Sequence, residues 1–241
     1  MFVVSRRPYT PGVASTPASR SRSTRDRPAK PPLSEAAIVA AAIEVLRAEG
    51  LEAVSMRRVA KELDTGAASL YAYVKNRDDL YDLIFDEISG QVPRPEIDPE
   101  RWRAQLRQLL LDTRASLLDH PGLAKVALAR IPVGGNAIRM ADTLLGLLLA
   151  AGVPPQRAAW ACDILFLIVT ADAVENDIER ELAEQGSSKA FDLGKLKAAF
   201  HALPSDEFPY VSAHAEELTT GDGDVRFAFA IDTFIDGLLV P

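Results

Sequence analysis

Cysteine is almost missing from this chain: Cys162 is the only one in 241 residues. That excludes an intramolecular disulfide and a multi-cysteine metal site. Cys162 sits in an apolar run, the setting of a buried inert thiol rather than a nucleophile. Histidine is nearly as scarce, and His120, His201 and His214 show no metal-ligand spacing. No Ser-His-Asp or Cys-His arrangement and no Gly-rich phosphate loop can be assembled, so the sequence supports no enzyme, no cofactor and no metal. No apolar run reaches the roughly 18 residues of a membrane span, and no charged-apolar-small leader opens the chain. A cytoplasmic protein without a membrane segment is therefore expected. Period-two alternation and internal repeats are lacking too, which leaves all-α as the fold class.

What is present is helix, in a chain long enough for two domains, with 48% apolar residues to build a core. The net charge of −7 argues against nucleic acid until its distribution is considered. Residues 1–32 hold seven basic residues (Arg6, Arg7, Arg20, Arg22, Arg25, Arg27, Lys30) and one acid, a net of +6; the remaining 20 basic and 33 acidic residues give −13. This arm is rich in Pro, Ser, Thr and Arg and has no hydrophobic period. It cannot bury enough apolar surface to offset its ordering entropy, so it is read as disordered. It is either a plain solvated extension or an electrostatic arm that follows phosphates or enters the minor groove.

Three short helices are expected next. Ser34 suits an N-cap, Gly50 suits the position just past a helix end, and Ile38, Ala41, Ala42, Val45 and Leu46 form one stripe between them. The stretch from Ser55 to Val74, SMRRVAKELDTGAASLYAYV, then divides at Leu63-Asp64-Thr65-Gly66. Val59, Ala60 and Leu63 face inward in the first piece, Leu70 and Val74 in the second. Ala67, Ala68, Ser69 and Ala72 leave the second helix slim on its outer face. Two helices joined by such a turn make either a helix-turn-helix or an ordinary αα corner. A slim outer face suits entry into the major groove. Asn76 caps a fourth helix, with Asp78 and Asp79 in its first turn, running from about Arg77 to Gln91 and stopped by Pro93 and Pro95.

A leading helix, the Gly50 turn, SMRRVAKEL and ASLYAYVKNRDDL together resemble the DNA-binding domain of the tetracycline-repressor (TetR) family. The most specific part is Leu70-Tyr71-x-Tyr73-Val74-Lys75-Asn76-Arg77-x-x-Leu80. Two departures stand out. Asp64 replaces the family's common Gly, although Asp tolerates left-handed backbone, and Ala67, Ala68 and Ala72 are shorter than the family's usual polar residues. The resemblance implies an N-terminal three-helix DNA-binding domain over 33–80 and a larger helical ligand-binding and dimerisation domain over 81–241. It implies DNA contacts from Arg57, Gly66, Ala67, Ala68, Ser69, Tyr71, Ala72, Tyr73 and Lys75. Arg57 is the candidate for guanine O6 and N7, and the tyrosines and Lys75 are candidates for phosphates. Tyr71 is alternatively core, with its hydroxyl at the surface.

Beyond Pro95, helices are expected over 99–119, 123–130, 134–152, 154–184, 193–202, 207–218 and 225–239, with a loose polar link at 185–192. The segments 154–184 and 225–239 are apolar nearly all round. Such helices bury more than one face, either in a monomer core or against a second copy. The ending Glu207-Phe208-Pro209-Tyr210, Arg226-Phe227 and Phe234-Ile235-Asp236-Gly237-Leu238 resembles the C-terminal domain of the tetracycline-repressor branch, which implies a homodimer formed by these two helices. It also implies a small-molecule site. Polar or aromatic residues within apolar surroundings are its candidates: Trp102, Arg114, Arg130, Asn136 and Met140, then Trp160, Asp163, Phe166, Asp172 and Glu175. Arg114 with Asp163 is alternatively a structural ion pair. Aligning the corner at Ile131-Pro132 with the family's namesake puts Ala127 where a metal-binding histidine stands and the other histidine near Pro93. One carboxylate, Glu175, is no magnesium site, so a tetracycline–magnesium chelate is not expected.

The implied function is a homodimeric repressor that leaves a palindromic double-stranded DNA operator when it takes up a small-molecule inducer. The alternative is a constitutive or protein-partner-controlled DNA-binding protein of the same fold. Coupling is expected through the fourth helix, with Phe85 and Ile88 packed against the ligand domain.

Overall fold

A computed structural model describes residues 32–130, 133–186 and 192–239. The chain divides into the units Met1–Pro32 and Leu33–Pro241. The basic arm, apart from Pro32, lies outside the described residues, as do the 131–132 corner and most of the 185–192 link. The described residues of the second unit form twelve α-helices and no strand.

Capping chemistry sets the first four helices. α1 (Glu35–Glu49) begins where Ser34 Oγ accepts from Ala37 N at 3.2 Å, and ends at Gly50, whose φ of 81° reverses the chain. α2 (Met56–Glu62) is capped by Ser55, which accepts from Arg58 N at 3.2 Å. The break that follows turns on Asp64 at φ 48°, the one non-glycine with positive φ among the described residues. α3 (Ala67–Leu70) is shorter than a helical reading through Val74 supposes. The N–H groups of Tyr73 and Val74 both converge on Leu70 O at 2.9 Å, tightening the chain into a turn. It then opens to the extended backbone of Asn76, which caps α4 (Arg77–Gln91) by accepting from Asp79 N at 2.8 Å.

The body comprises α5 (Trp102–Leu118), α6 (Leu123–Ala129), α7 (Gly135–Ala150) and α8 (Pro155–Glu184), then α9 (Leu193–His201), α10 (Pro209–Ala213), α11 (Ala215–Leu218) and α12 (Gly223–Gly237). Several bounds differ from expectation by one to three residues, α5 beginning at Trp102 rather than 99, and two differences have a clear local cause. The 207–218 segment is two helices rather than one, because the chain leaves helical geometry at His214 (φ −117°, ψ 26°). The last helix starts two residues early, because Asp222 caps it by accepting from Val225 N at 2.9 Å.

α5, α7 and α8 pack on one another, and α4 lies between α1 on one side and α6 and α7 on the other. One apolar core runs through both regions, from Ile38 in α1 to Leu238 after α12. α8 is two-faced. Ala158, Ala161, Leu165, Val169 and Ala173 are buried, whereas Trp160, Ile164, Leu167 and Ile178 on the opposite side are exposed. α12 repeats the pattern with Phe227, Ile231 and Ile235 buried and Val225 and Phe229 exposed. No helix among the described residues is long and apolar enough to cross a membrane.

Candidate recognition face and apolar cavity

The outward face of α2 and α3 is built from small and polar groups over two anchors. Leu70 and Val74 are fully buried and fix the segment to the core of α1 and α4. Gly66, Ala68, Ser69, Ala72 and Lys75 are then left exposed, and Ala67 half-buried. Tyr71 is 56% and Tyr73 42% exposed, so the reading of Tyr71 as mostly core does not hold. With Leu70 and Val74 turned inward four residues apart, a side chain one position after Leu70 faces away. Lys75 donates its backbone N–H to Asp79 Oδ2 at 2.8 Å, leaving its ammonium at the surface.

Adjacent arginines have opposite fates. Arg58 is held by Glu49 Oε1 at 2.6 Å and Glu62 Oε2 at 2.8 Å, hydrogen bonds that hold its guanidinium above the usual range. Arg57 is exposed and has no ion pair among the described residues. One arginine stabilises the head; the other is free for a ligand of the head.

A cavity of about 370 Å³ lies between α4, α5, α7 and α8. Phe85, Ile88 and Val92, at the far end of α4, form one wall with Leu117 and Leu144 opposite. Ile138, Ala141 and Asp163 are exposed at its rim. Cys162 lines it half-buried, and burial pushes its thiol up to about 11. Of the residues proposed for a ligand site, Met140, Asp163 and Phe166 meet here.

The others go elsewhere. Arg114 is buried and pairs with Asp172 (2.5 Å) and Asp224 (2.7 Å), its guanidinium 4.7 Å from the Phe227 ring, so it joins α5, α8 and α12. Burial opposes that charge, and the bonds to the two carboxylates outweigh it and keep Arg114 above its ordinary range. The Arg114–Asp163 pair is therefore corrected to Arg114–Asp172. The two acids are nine residues apart on one helix, about half a turn out of phase, so the face that meets Arg114 cannot present Asp163. Arg130 reaches back to Asp78 (3.0 Å) and Asp82 (2.9 Å) on α4. Trp102 is half-buried against the core, while Trp160 and Glu175 are exposed on α8.

Asn136 belongs to a junction that sequence reasoning missed. Asp86, on α4, accepts from Asn136 N at 2.8 Å and Ala137 N at 2.9 Å, and so caps the start of α7. Gly134 makes room for this carboxylate: a Cβ there would lie 2.1 Å from Asp86 Oδ1. The polar lining residues Ser89, Thr113 and Ser116 were missed as well. Their signal was small hydroxyls on helix faces otherwise occupied by Leu and Ile.

Residues 38–84 match the family of bacterial regulatory proteins of the tetR type, and residues 94–240 match the tetracyclin repressor-like C-terminal domain. The chain belongs to the TetR family. It is 31% identical over 215 residues to the HTH-type transcriptional repressor DrrR1 of Streptomyces coeruleorubidus, across 88% of this chain and 79% of that one. Its fold is similar to that of apo ActR from Streptomyces coelicolor, with a TM-score of 0.78 and 38% identity over 87% of this chain and 96% of ActR. ActR in complex with actinorhodin compares at a TM-score of 0.78 and 38% identity, over 86% and 96%. The chain is thus a helix-turn-helix DNA-binding transcriptional repressor of that family.

Proposed function

We propose that this repressor acts as a cytoplasmic, non-enzymatic homodimer on a palindromic operator, and that a small molecule in the α4–α5–α7–α8 cavity releases it. The head, 33–80, contacts DNA and the remainder, 81–241, binds ligand and dimerises. Arg57 reads a base from the major groove. Gly66, Ala67, Ala68, Ser69 and Ala72 allow close approach, and Tyr71, Tyr73 and Lys75 hold phosphates. The exposed stripes of α8 and α12, with Trp160, Ile164 and Phe229, meet their copies in the dimer.

The observation that carries this reading is the position of α4. Its N-cap, Asn76, follows Lys75 directly, and its later turns, through Phe85, Ile88 and Ser89, are a wall of the cavity. A ligand that displaces this wall changes the angle of the head. In a dimer whose half-sites lie about 34–36 Å apart, that costs contacts on both sides. Ligand and operator then oppose each other by linkage.

Ala127, buried in α6, brings only a methyl group to the position of the namesake's metal histidine, which supports a metal-free ligand. The test is operator affinity, by fluorescence anisotropy, across a panel of small apolar ring compounds. At least one compound that raises the melting temperature should lower operator affinity tenfold or more. If compounds bind in the cavity and none alters operator affinity, the constitutive or partner-controlled alternative holds.

A further inference from the structure

The cavity carries one charge, and it is negative. Asp163 is exposed at the rim, and its carboxylate has neither a hydrogen bond nor an ion pair among the described residues. No lysine, arginine or histidine is among the lining residues. The hydroxyls are one-sided too. Ser89 Oγ donates to Phe85 O at 2.7 Å, and Thr113 Oγ1 donates to Leu109 O at 2.7 Å. A hydroxyl has a single proton, so these two keep only acceptor lone pairs for a guest. Cys162 is a weak donor at best. Ser116 is the one lining hydroxyl with no such bond. The rest of the surface is apolar, from Phe85, Ile88, Leu117, Leu144 and Phe166.

Such a lining discriminates by charge. An anionic guest meets a carboxylate and almost no donors, so it loses solvation without replacement. A neutral guest gains from apolar burial alone. A cation with N–H donors gains the same burial, satisfies the free acceptors and neutralises Asp163. We infer that the cavity selects an apolar ring compound bearing a protonated amine, with Asp163 as its counter-ion. This rests on the proposal that the cavity is the effector site. At about 370 Å³ the space suits a body of two to four fused rings.

Three probes of one shape test it: 9-anthracenemethylamine, 9-anthracenemethanol and 9-anthracenecarboxylate. Their fluorescence is titrated with the full-length protein in the absence of DNA. The amine should bind about fivefold more tightly than the alcohol, the increment of a partly exposed ion pair, and the carboxylate more weakly than both. Asp163→Asn should erase the amine's advantage, leave the alcohol's affinity unchanged and keep the melting temperature, because no bond within the protein is lost. Asp206→Asn, at an exposed site away from the cavity, controls for general attraction of cations to an acidic protein and should change nothing. Equal binding of amine and alcohol, or a preference that survives Asp163→Asn, overturns the charge inference and leaves the cavity reading standing. If Met140→Trp, which fills the cavity, leaves the binding of all three unchanged, or if none binds, the cavity reading itself fails and the charge inference falls with it.

Discussion

Two exposed faces of this molecule carry no charge at their centres, yet they are built differently. On α3 and the turn after it the outward residues are Ala68, Ser69 and Ala72; on α8 they are Trp160, Ile164 and Leu167. Both lie on helical segments over a buried stripe, so helical periodicity alone does not separate them. Side-chain volume does. The α3 face is slim and flanked by donors, from Arg57 to Tyr73 and Lys75, which suits a polar groove that must be approached closely. The α8 face is broad and apolar, and α12 exposes Val225 and Phe229 as well, the kind of surface that marks an interaction site when it is contiguous. Under the proposed function, one face meets nucleic acid and the other a second copy of the chain.

The largest effect should come from charging the broad face. Ile164→Asp places a carboxylate where the proposed dimer buries an isoleucine. Sedimentation should show monomers, and operator affinity should fall about a hundredfold or more, because two linked half-sites become independent. A monomeric variant with full affinity would show that the broad face has no part in DNA binding.

Enlarging the slim face is the complementary change. Ala68→Glu adds length and negative charge at the centre of α3 without touching the core, since Ala68 is exposed. Operator affinity should drop about tenfold or more through phosphate repulsion and lost groove fit, with sedimentation unaltered. Normal binding by Ala68→Glu would place the recognition surface elsewhere.

A smaller effect separates the neighbouring arginines. Arg57→Ala should weaken binding by about 1–3 kcal/mol and relax preference at one base pair, as read from gel shifts on single-base operator variants. Arg58→Ala breaks bonds to Glu49 and Glu62, so it should lower the melting temperature while leaving the ranking of operator variants intact. Unchanged base preferences in Arg57→Ala would reduce Arg57 to a phosphate contact.

The head was legible in the sequence because its determinants are local. Ser34, Ser55 and Asn76 each cap a helix within three residues of themselves, and Asp64 takes the left-handed turn that its side chain tolerates. The cavity was only partly legible because its walls come from four different helices whose mutual packing no local pattern sets. Met140, Asp163 and Phe166 were recognisable as polarisable or charged residues in apolar runs. Arg114, Asn136 and Asp172 carry the same sequence signal, yet packing uses them as struts. Which acid Arg114 meets depends on how α8 is rotated against α5, and no local pattern encodes that rotation. The Asp86 cap on α7 was illegible for the same reason: donor and acceptor are fifty residues apart.

That cap gives the smallest expected effect and the most direct test of how the two faces communicate. Asp86 lies on α4 beside the cavity residue Phe85, and its carboxylate holds the first N–H groups of α7, the helix that contributes Met140 and Leu144 to the opposite wall. A ligand that parts α4 from α7 must strain these bonds, and an operator that fixes α4 must preserve them. Asp86→Asn retains one acceptor oxygen and the shape of the side chain but removes the negative charge from the positive end of α7. Operator affinity without ligand should then change little, because α4 still packs through Ile84, Phe85 and Ile88. The ratio of operator affinities without and with inducer should shrink about threefold, as the two helices become less strictly linked. Anisotropy titrations of wild type and Asp86→Asn, each with and without inducer, measure both quantities on one sample. A ratio equal to that of wild type would remove Asp86 from the route and leave coupling to the apolar contacts of Phe85 and Ile88, for which Ile88→Val is the conservative variant. A loss of operator affinity as large as the loss of inducibility would instead mark the cap as a structural support of the head, serving the slim face without informing it about the cavity.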